Sequence, residues 1–214
     1  MIYIVLGVGI IALIVLYHVY ILPMIEKLLE SKSDDGNWMI LRAGYLHRNQ
    51  KYGDLAYTYH LVKVLDKVKE YSDFFGDDPE LMQALEMAAI FHDTLEDVTG
   101  YTYNDLKRDA AKVFDDPFYT NMVAEIVYAC TNNKGRNRAE RAGDEYYKGI
   151  RETGYAPFIK ACDRLANIEF AKSQGSSLYD KYVQEMPSFI KKIEAADNPV
   201  PPKLIEALCL YLLD

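Results

Sequence analysis

From Asn37 to the C-terminus, apolar positions recur at intervals of three and four residues and show no sustained period-two alternation. That is the pattern of amphipathic helices rather than of strands. Breaks fall at Gly53, Gly76 to Pro79, Gly100, Asp115 to Pro117, Gly135, Gly154 and Asn198 to Pro202, where glycine, proline and aspartate end one helix or start the next. The spacing predicts helices near 38–51, 55–72, 79–96, 103–113, 117–131, 138–152, 156–172, 178–195 and 202–213. The expected fold class is therefore all-α, with no internal repeat.

The first 22 residues, Met1 to Leu22, carry no charged side chain. As a helix they would extend roughly 30 Å, the thickness of a bilayer's hydrocarbon layer. No basic leader or small-residue cleavage site accompanies them, which argues against a removed signal peptide. The chain is expected to comprise a single transmembrane helix at 1–22, a linker at 23–36 that includes the polar run Ser31–Gly36, and one folded domain at 37–214. The flanking charges Glu26, Lys27, Glu30 and Lys32 mix both signs and leave orientation open.

Composition narrows the picture. Of 214 residues half are apolar and about a quarter charged, with a net charge of −8, which argues against a phosphate-backbone surface and hence against a nucleic-acid partner. Cys130, Cys162 and Cys209 are widely spaced and odd in number, so they read as reduced, buried residues rather than a disulfide framework. The 18 tyrosines suit amphipathic packing, ring inward and hydroxyl at the edge. The last helix ends in an apolar run too short to span a bilayer and reads as core or as the contact of a homo-oligomer.

The densest chemistry lies in Ala88–Gly100, where an apolar helix ends in His92, Asp93, Glu96 and Asp97. Helical spacing clusters these groups at one end, and three crowded carboxylates repel unless a cation offsets them. Imidazole with carboxylate suits a divalent ion, but neighbours on one helix cannot complete its coordination. His60, on a core-facing helix, and Asp163, embedded in the apolar run 158–168, are candidates to complete it. Singly, each has a plain structural account: a core histidine, an ion pair with Arg164, a capping pair. Their order is more specific, a histidine, then His-Asp 32 residues later, then an aspartate 70 further on.

In this order the sequence resembles the HD superfamily of metal-dependent phosphohydrolases, most of all the hydrolase domain of the RelA/SpoT type and the small alarmone hydrolases. Five blocks over residues 38–172 carry the likeness: His47-Arg-Asn-Gln50, Tyr57-Thr-Tyr-His60, His92-Asp-Thr-Leu-Glu-Asp97, Thr131-Asn-Asn-Lys134 and Lys160-Ala-Cys-Asp-Arg-Leu-Ala-Asn167. The resemblance implies an HD-domain helical bundle and one divalent metal, of the Mn²⁺ type, held by His60, His92, Asp93 and Asp163. It implies catalytic roles for Glu96 and Asp97 beside a metal-bound water acting as nucleophile. It places Arg48, Lys134 and Asn167 against a nucleotide substrate. The basic cluster Lys134, Arg136, Arg138 and Arg141 reads either as a solvated helix face or as phosphate-binding.

The chain departs from the family pattern at Ala56 and Leu61, where prolines are common, and in the short segment between Gln50 and Tyr57. The expected activity is hydrolysis of the 3′-pyrophosphate of guanosine tetra- or pentaphosphate. The alternatives are an HD-type (deoxy)nucleotide phosphohydrolase and a catalytically silent, membrane-tethered nucleotide-binding module. Nucleotide chemistry and reduced cysteines together place the catalytic domain on the cytoplasmic face of the membrane.

Overall fold

The computed structural model describes residues 13–25, 36–132 and 143–213. Ten helices are numbered here: α1 (Gly36–Leu46), α2 (Thr58–Tyr71), α3 (Pro79–Phe91), α4 (Thr94–Asp97), α5 (Tyr103–Ala110), α6 (Pro117–Cys130), α7 (Asp144–Glu152), α8 (Ala156–Ser173), α9 (Leu178–Ile193) and α10 (Pro202–Leu210). Their starts follow local chemistry. Asp78 caps α3 by accepting from the N–H groups of Glu80 and Leu81, with Pro79 in the first turn. Asp116 and Pro117 do the same for α6, and Thr102 and Asp105 form a capping box on α5.

Helix α8 runs through the middle, packed against α2, α9, α6 and α10. Phe158, Ile159, Ala161, Cys162, Leu165 and Ile168 are almost fully buried along it. Helix α3 is apolar on nearly every face because it is covered by α1, α2, α6 and α8. Helix α1 approaches α2 so closely that a Cβ on Gly44 would lie 2.6 Å from Thr58 Cγ2.

Two expected helices are interrupted. The first ends at Leu46, and residues Lys51–Tyr52 (β1) and Leu55–Ala56 (β2) form an antiparallel hairpin. Gly53 takes φ +60° in its two-residue turn, where a residue with a Cβ is strained. The second break divides the expected helix 79–96 at His92 and Asp93. There Thr94 Oγ1 donates to the Phe91 carbonyl at 2.7 Å, and Asp93 adopts φ −100°, ψ −3°, the bridge region between helix and strand.

The expected transmembrane helix is corrected. Among the described residues no helix is long and apolar enough to cross a membrane. Residues 1–12 lie outside them, and the described part, 13–25, is helical with a π-helical stretch at Tyr17–Ile21. Those residues would extend only roughly 20 Å, short of a hydrocarbon layer, and Ile25 packs against the core. The expected single-pass placement with a cytoplasm-facing domain loses its basis with the helix. Of the expected linker, 26–35 also lies outside the described residues.

Candidate functional site

Three stretches of chain converge on one point: α2 brings His60, the break between α3 and α4 brings His92 and Asp93, and α8 brings Asp163. The Nε2 atoms of His60 and His92 face each other at 3.2 Å. Asp93 Oδ2 lies 2.9 Å from His92 Nε2 and 3.4 Å from His60 Nε2. Asp163 Oδ1 lies 3.4 and 3.6 Å from the same two nitrogens. His92 Nδ1 donates to the Ala89 carbonyl at 2.8 Å. Because a carbonyl only accepts, the neutral ring carries its proton there and points the Nε2 lone pair into the cluster.

This donor set fits one divalent cation. Atoms bound at about 2.1 Å and set 90 to 109° apart around an ion would be separated by about 3.0 to 3.4 Å. The observed separations are of that size, and His60, His92 and Asp93 each offer an atom within 4.8 Å of the others. The four groups also interact electrostatically. Burial would lower the His92 pKa, but the charge of Asp93 and hydrogen bonding to Asp163 outweigh it and push the imidazole up to about 10. Burial would likewise raise Asp93 and Asp163, yet His92 beside the first and the Lys160 ammonium beside the second hold both carboxyls well below the usual range. Two carboxylates and two imidazoles are thus strongly coupled at one point.

The cluster floors a cleft of about 660 Å³, within the ordinary size for a small-ligand site. Glu96 lines it, with Oε2 accepting from the Asn132 N–H at 2.8 Å. Desolvation by the surrounding protein raises the Glu96 carboxyl, with Asn132 and Lys160 pulling the other way. Asp97 stands one residue on; its carboxylate meets the Tyr57 hydroxyl at 3.1 Å, but it does not line the cleft. Asn167 lines the cleft and donates through Nδ2 to Asp163 Oδ1.

Arg48 is not brought to the cleft. It is exposed, donates to the Tyr45 carbonyl at 2.8 Å and lies over the Tyr45 ring. Lys134 and the rest of the basic cluster, Arg136, Arg138 and Arg141, lie outside the described residues.

Several cleft residues were not singled out from the sequence. Lys160 donates to Asp163 Oδ2 at 2.8 Å, and its position three residues before that aspartate on one helix was a readable signal. Tyr52 and Tyr57 line the cleft beside the histidines. The opposite wall is α9, with Lys181, Tyr182, Glu185 and Lys192. Arg164 locks that wall to α8: it donates to Glu185 at 3.1 Å and lies 4.8 and 4.5 Å from the rings of Tyr182 and Phe189. No local sequence signal connects α9 with the histidines.

No protein-family model matches the sequence, and no curated protein does. Among solved structures, the chain is similar to one described as a metazoan ortholog of SpoT that hydrolyzes ppGpp and plays a role in starvation responses. The TM-score is 0.62 at 17% identity, over 83% of this chain and 93% of that one. This chain shares that protein's fold, in line with the HD-type bundle that the resemblance to the RelA/SpoT hydrolase domain implied.

Proposed function

We propose that this chain is a divalent-metal-dependent phosphohydrolase that removes the 3′-pyrophosphate of guanosine tetra- or pentaphosphate. The observation that carries the reading is the convergence of His60, His92, Asp93 and Asp163 at metal-ligand separations on the floor of a cleft that Glu96 also lines. The choice of substrate is supported by the fold shared with a ppGpp-hydrolysing protein and by the five sequence blocks in family order.

The ion, expected to be Mn²⁺, would be held by those four side chains and would supply Lewis acidity toward a phosphoryl oxygen and a lowered pKa for water. Glu96, fixed by the Asn132 N–H and raised in pKa by its surroundings, would orient a water molecule and accept its proton. Asp97 follows Glu96 by one residue, its carboxylate 3.1 Å from the Tyr57 hydroxyl. Lys181 and Lys192 face the cleft from α9 and offer positive charge to the remaining phosphates. Asn167 holds Asp163 from within the same cleft.

The test is pyrophosphate release by the purified full chain from guanosine tetraphosphate, with Mn²⁺ and with chelator, beside a panel of 5′-nucleotides. Mn²⁺-dependent release is expected, with Glu96→Gln losing about 100-fold or more in kcat while still binding the ion. Preference for a 5′-phosphate substrate would move the assignment to an HD-type nucleotidase. Tight nucleotide binding without turnover would make the chain a binding module.

A further inference from the structure

The β1–β2 hairpin and the N-cap of α2 carry two cleft tyrosines, Tyr52 and Tyr57, whose hydroxyls turn toward the candidate metal cluster. Tyr57 donates its hydroxyl to Asp93 Oδ2 at 2.6 Å, the same oxygen that faces both imidazole Nε2 atoms. Tyr52 donates to Asn167 Oδ1 at 2.7 Å, and Asn167 Nδ2 donates to Asp163 Oδ1, again the oxygen that faces the imidazoles. The directions are forced. An ionised carboxylate only accepts, so the Asn167 amide nitrogen must face Asp163, its oxygen must face Tyr52, and the phenol must donate.

We propose that Tyr57 and Tyr52 are positioning residues which brace the two carboxylate ligands of the metal site, Tyr57 directly on Asp93 and Tyr52 through Asn167 on Asp163. The inference rests on the metal-site reading above. A carboxylate oxygen has lone pairs for two partners, so a phenol or amide on one leaves the other aimed at the ion.

Both phenols are themselves held. The His47 ring stacks on Tyr57 with centroids 4.6 Å apart and planes 15° apart, and His47 is 1% exposed. Its Nδ1 bonds Gln50 Oε1, while Gln50 Nε2 donates to the Asp97 carbonyl at 2.6 Å, so α1, α2 and α4 are tied around one ring. Tyr52 is sandwiched between His60 and Phe170, with centroids 4.6 and 4.1 Å away. The turn that delivers it depends on Gly53, where an added Cβ would lie 3.2 Å from Phe170.

The test is calorimetric titration of the full chain with Mn²⁺ alone, in wild type, Tyr57→Phe, Tyr52→Phe and the control Tyr59→Phe, whose hydroxyl takes no part in the network. Tyr57→Phe should weaken Mn²⁺ binding by about 10- to 100-fold and Tyr52→Phe by less. Tyr59→Phe should bind as wild type, and the metal-free unfolding midpoints should stay together because each ring remains. If both cleft variants bind Mn²⁺ as tightly as wild type, the brace is overturned and the metal site stands. A fall in metal-free midpoint parallel to the loss of affinity would mark the hydroxyls as merely structural and overturn it too. A wild-type chain that takes up no Mn²⁺ would overturn the metal site and the brace together.

Discussion

Lys160 shows how much depends on single charges in this core. Its ammonium is mostly covered and donates to Asp163, a residue only 7% exposed. Burial would lower its pKa, yet the Asp163 charge holds it well above the ordinary lysine value. Removing one member of a buried ion pair leaves the other uncompensated. Lys160→Met is therefore expected to cost about 3 kcal/mol of unfolding free energy, measured by urea denaturation with chelator present. With Mn²⁺ the cost should shrink, because the ion then offsets Asp163. An equal cost in both conditions would mean that Asp163 does not face the metal. At this scale part was legible: order and spacing named His60, His92, Asp93 and Asp163 as candidates, and the fold brings these four together, since such a pattern needs only residue type and a buried helix. Tyr52 and Tyr57 were not, because a phenol beside a histidine looks the same in sequence whether it packs or positions.

Among the elements, α5 gives a clear case of local chemistry deciding a boundary. Asp105 accepts from the Thr102 N–H at 2.8 Å and from its hydroxyl, with Arg108 also beside it. The Thr102 hydroxyl and N–H, then Arg108, hold the carboxyl below its ordinary pKa. A carboxyl lowered on folding stabilises the fold while it is ionised, above its unfolded pKa, and that stabilisation is lost as pH falls through the folded pKa. Asp105→Ala should thus cost about 1 kcal/mol near neutral pH, the gap to wild type closing as the solution is acidified below the usual carboxylate range. A gap that stays constant with pH would show that packing rather than the ionised cap is responsible. The starts of α3 and α6 were visible as breaks at Asp78-Pro79 and Asp116-Pro117, whereas the hairpin was not: two residues per strand are too few to show alternation. The break at His92 was hidden because Ala88 to Glu96 keeps helical apolar spacing, while the break itself is marked by the Thr94 hydroxyl on the Phe91 carbonyl and the Asp93 backbone.

For the whole molecule, the candidate ligands come from α2, the α3–α4 junction and α8, so an ion bound to all of them ties together segments that unfolding would separate. The mostly helical architecture was legible because helical periodicity runs from Asn37 to the C-terminus. The anchor was misread because apolar composition reports a preference for leaving water, not the length of helix that realises it, and no described helix is long enough. The cleft itself could not be foreseen, since α9 comes to face the candidate ligands through tertiary packing on α8 and α7. A ligand that binds the folded chain alone stabilises it by about 2.7 kcal/mol at a hundredfold excess over its Kd. For a chain of this size that corresponds to a rise of roughly 5 to 10 °C in unfolding midpoint. Mn²⁺ is therefore expected to raise the midpoint of the full chain by that amount and chelator to reverse it. Asp93→Ala should melt at one temperature with or without the ion, because it removes the oxygen facing both Nε2 atoms. A midpoint in wild type that does not respond to Mn²⁺ would mean that the convergence of these segments is a packing arrangement and not a metal centre.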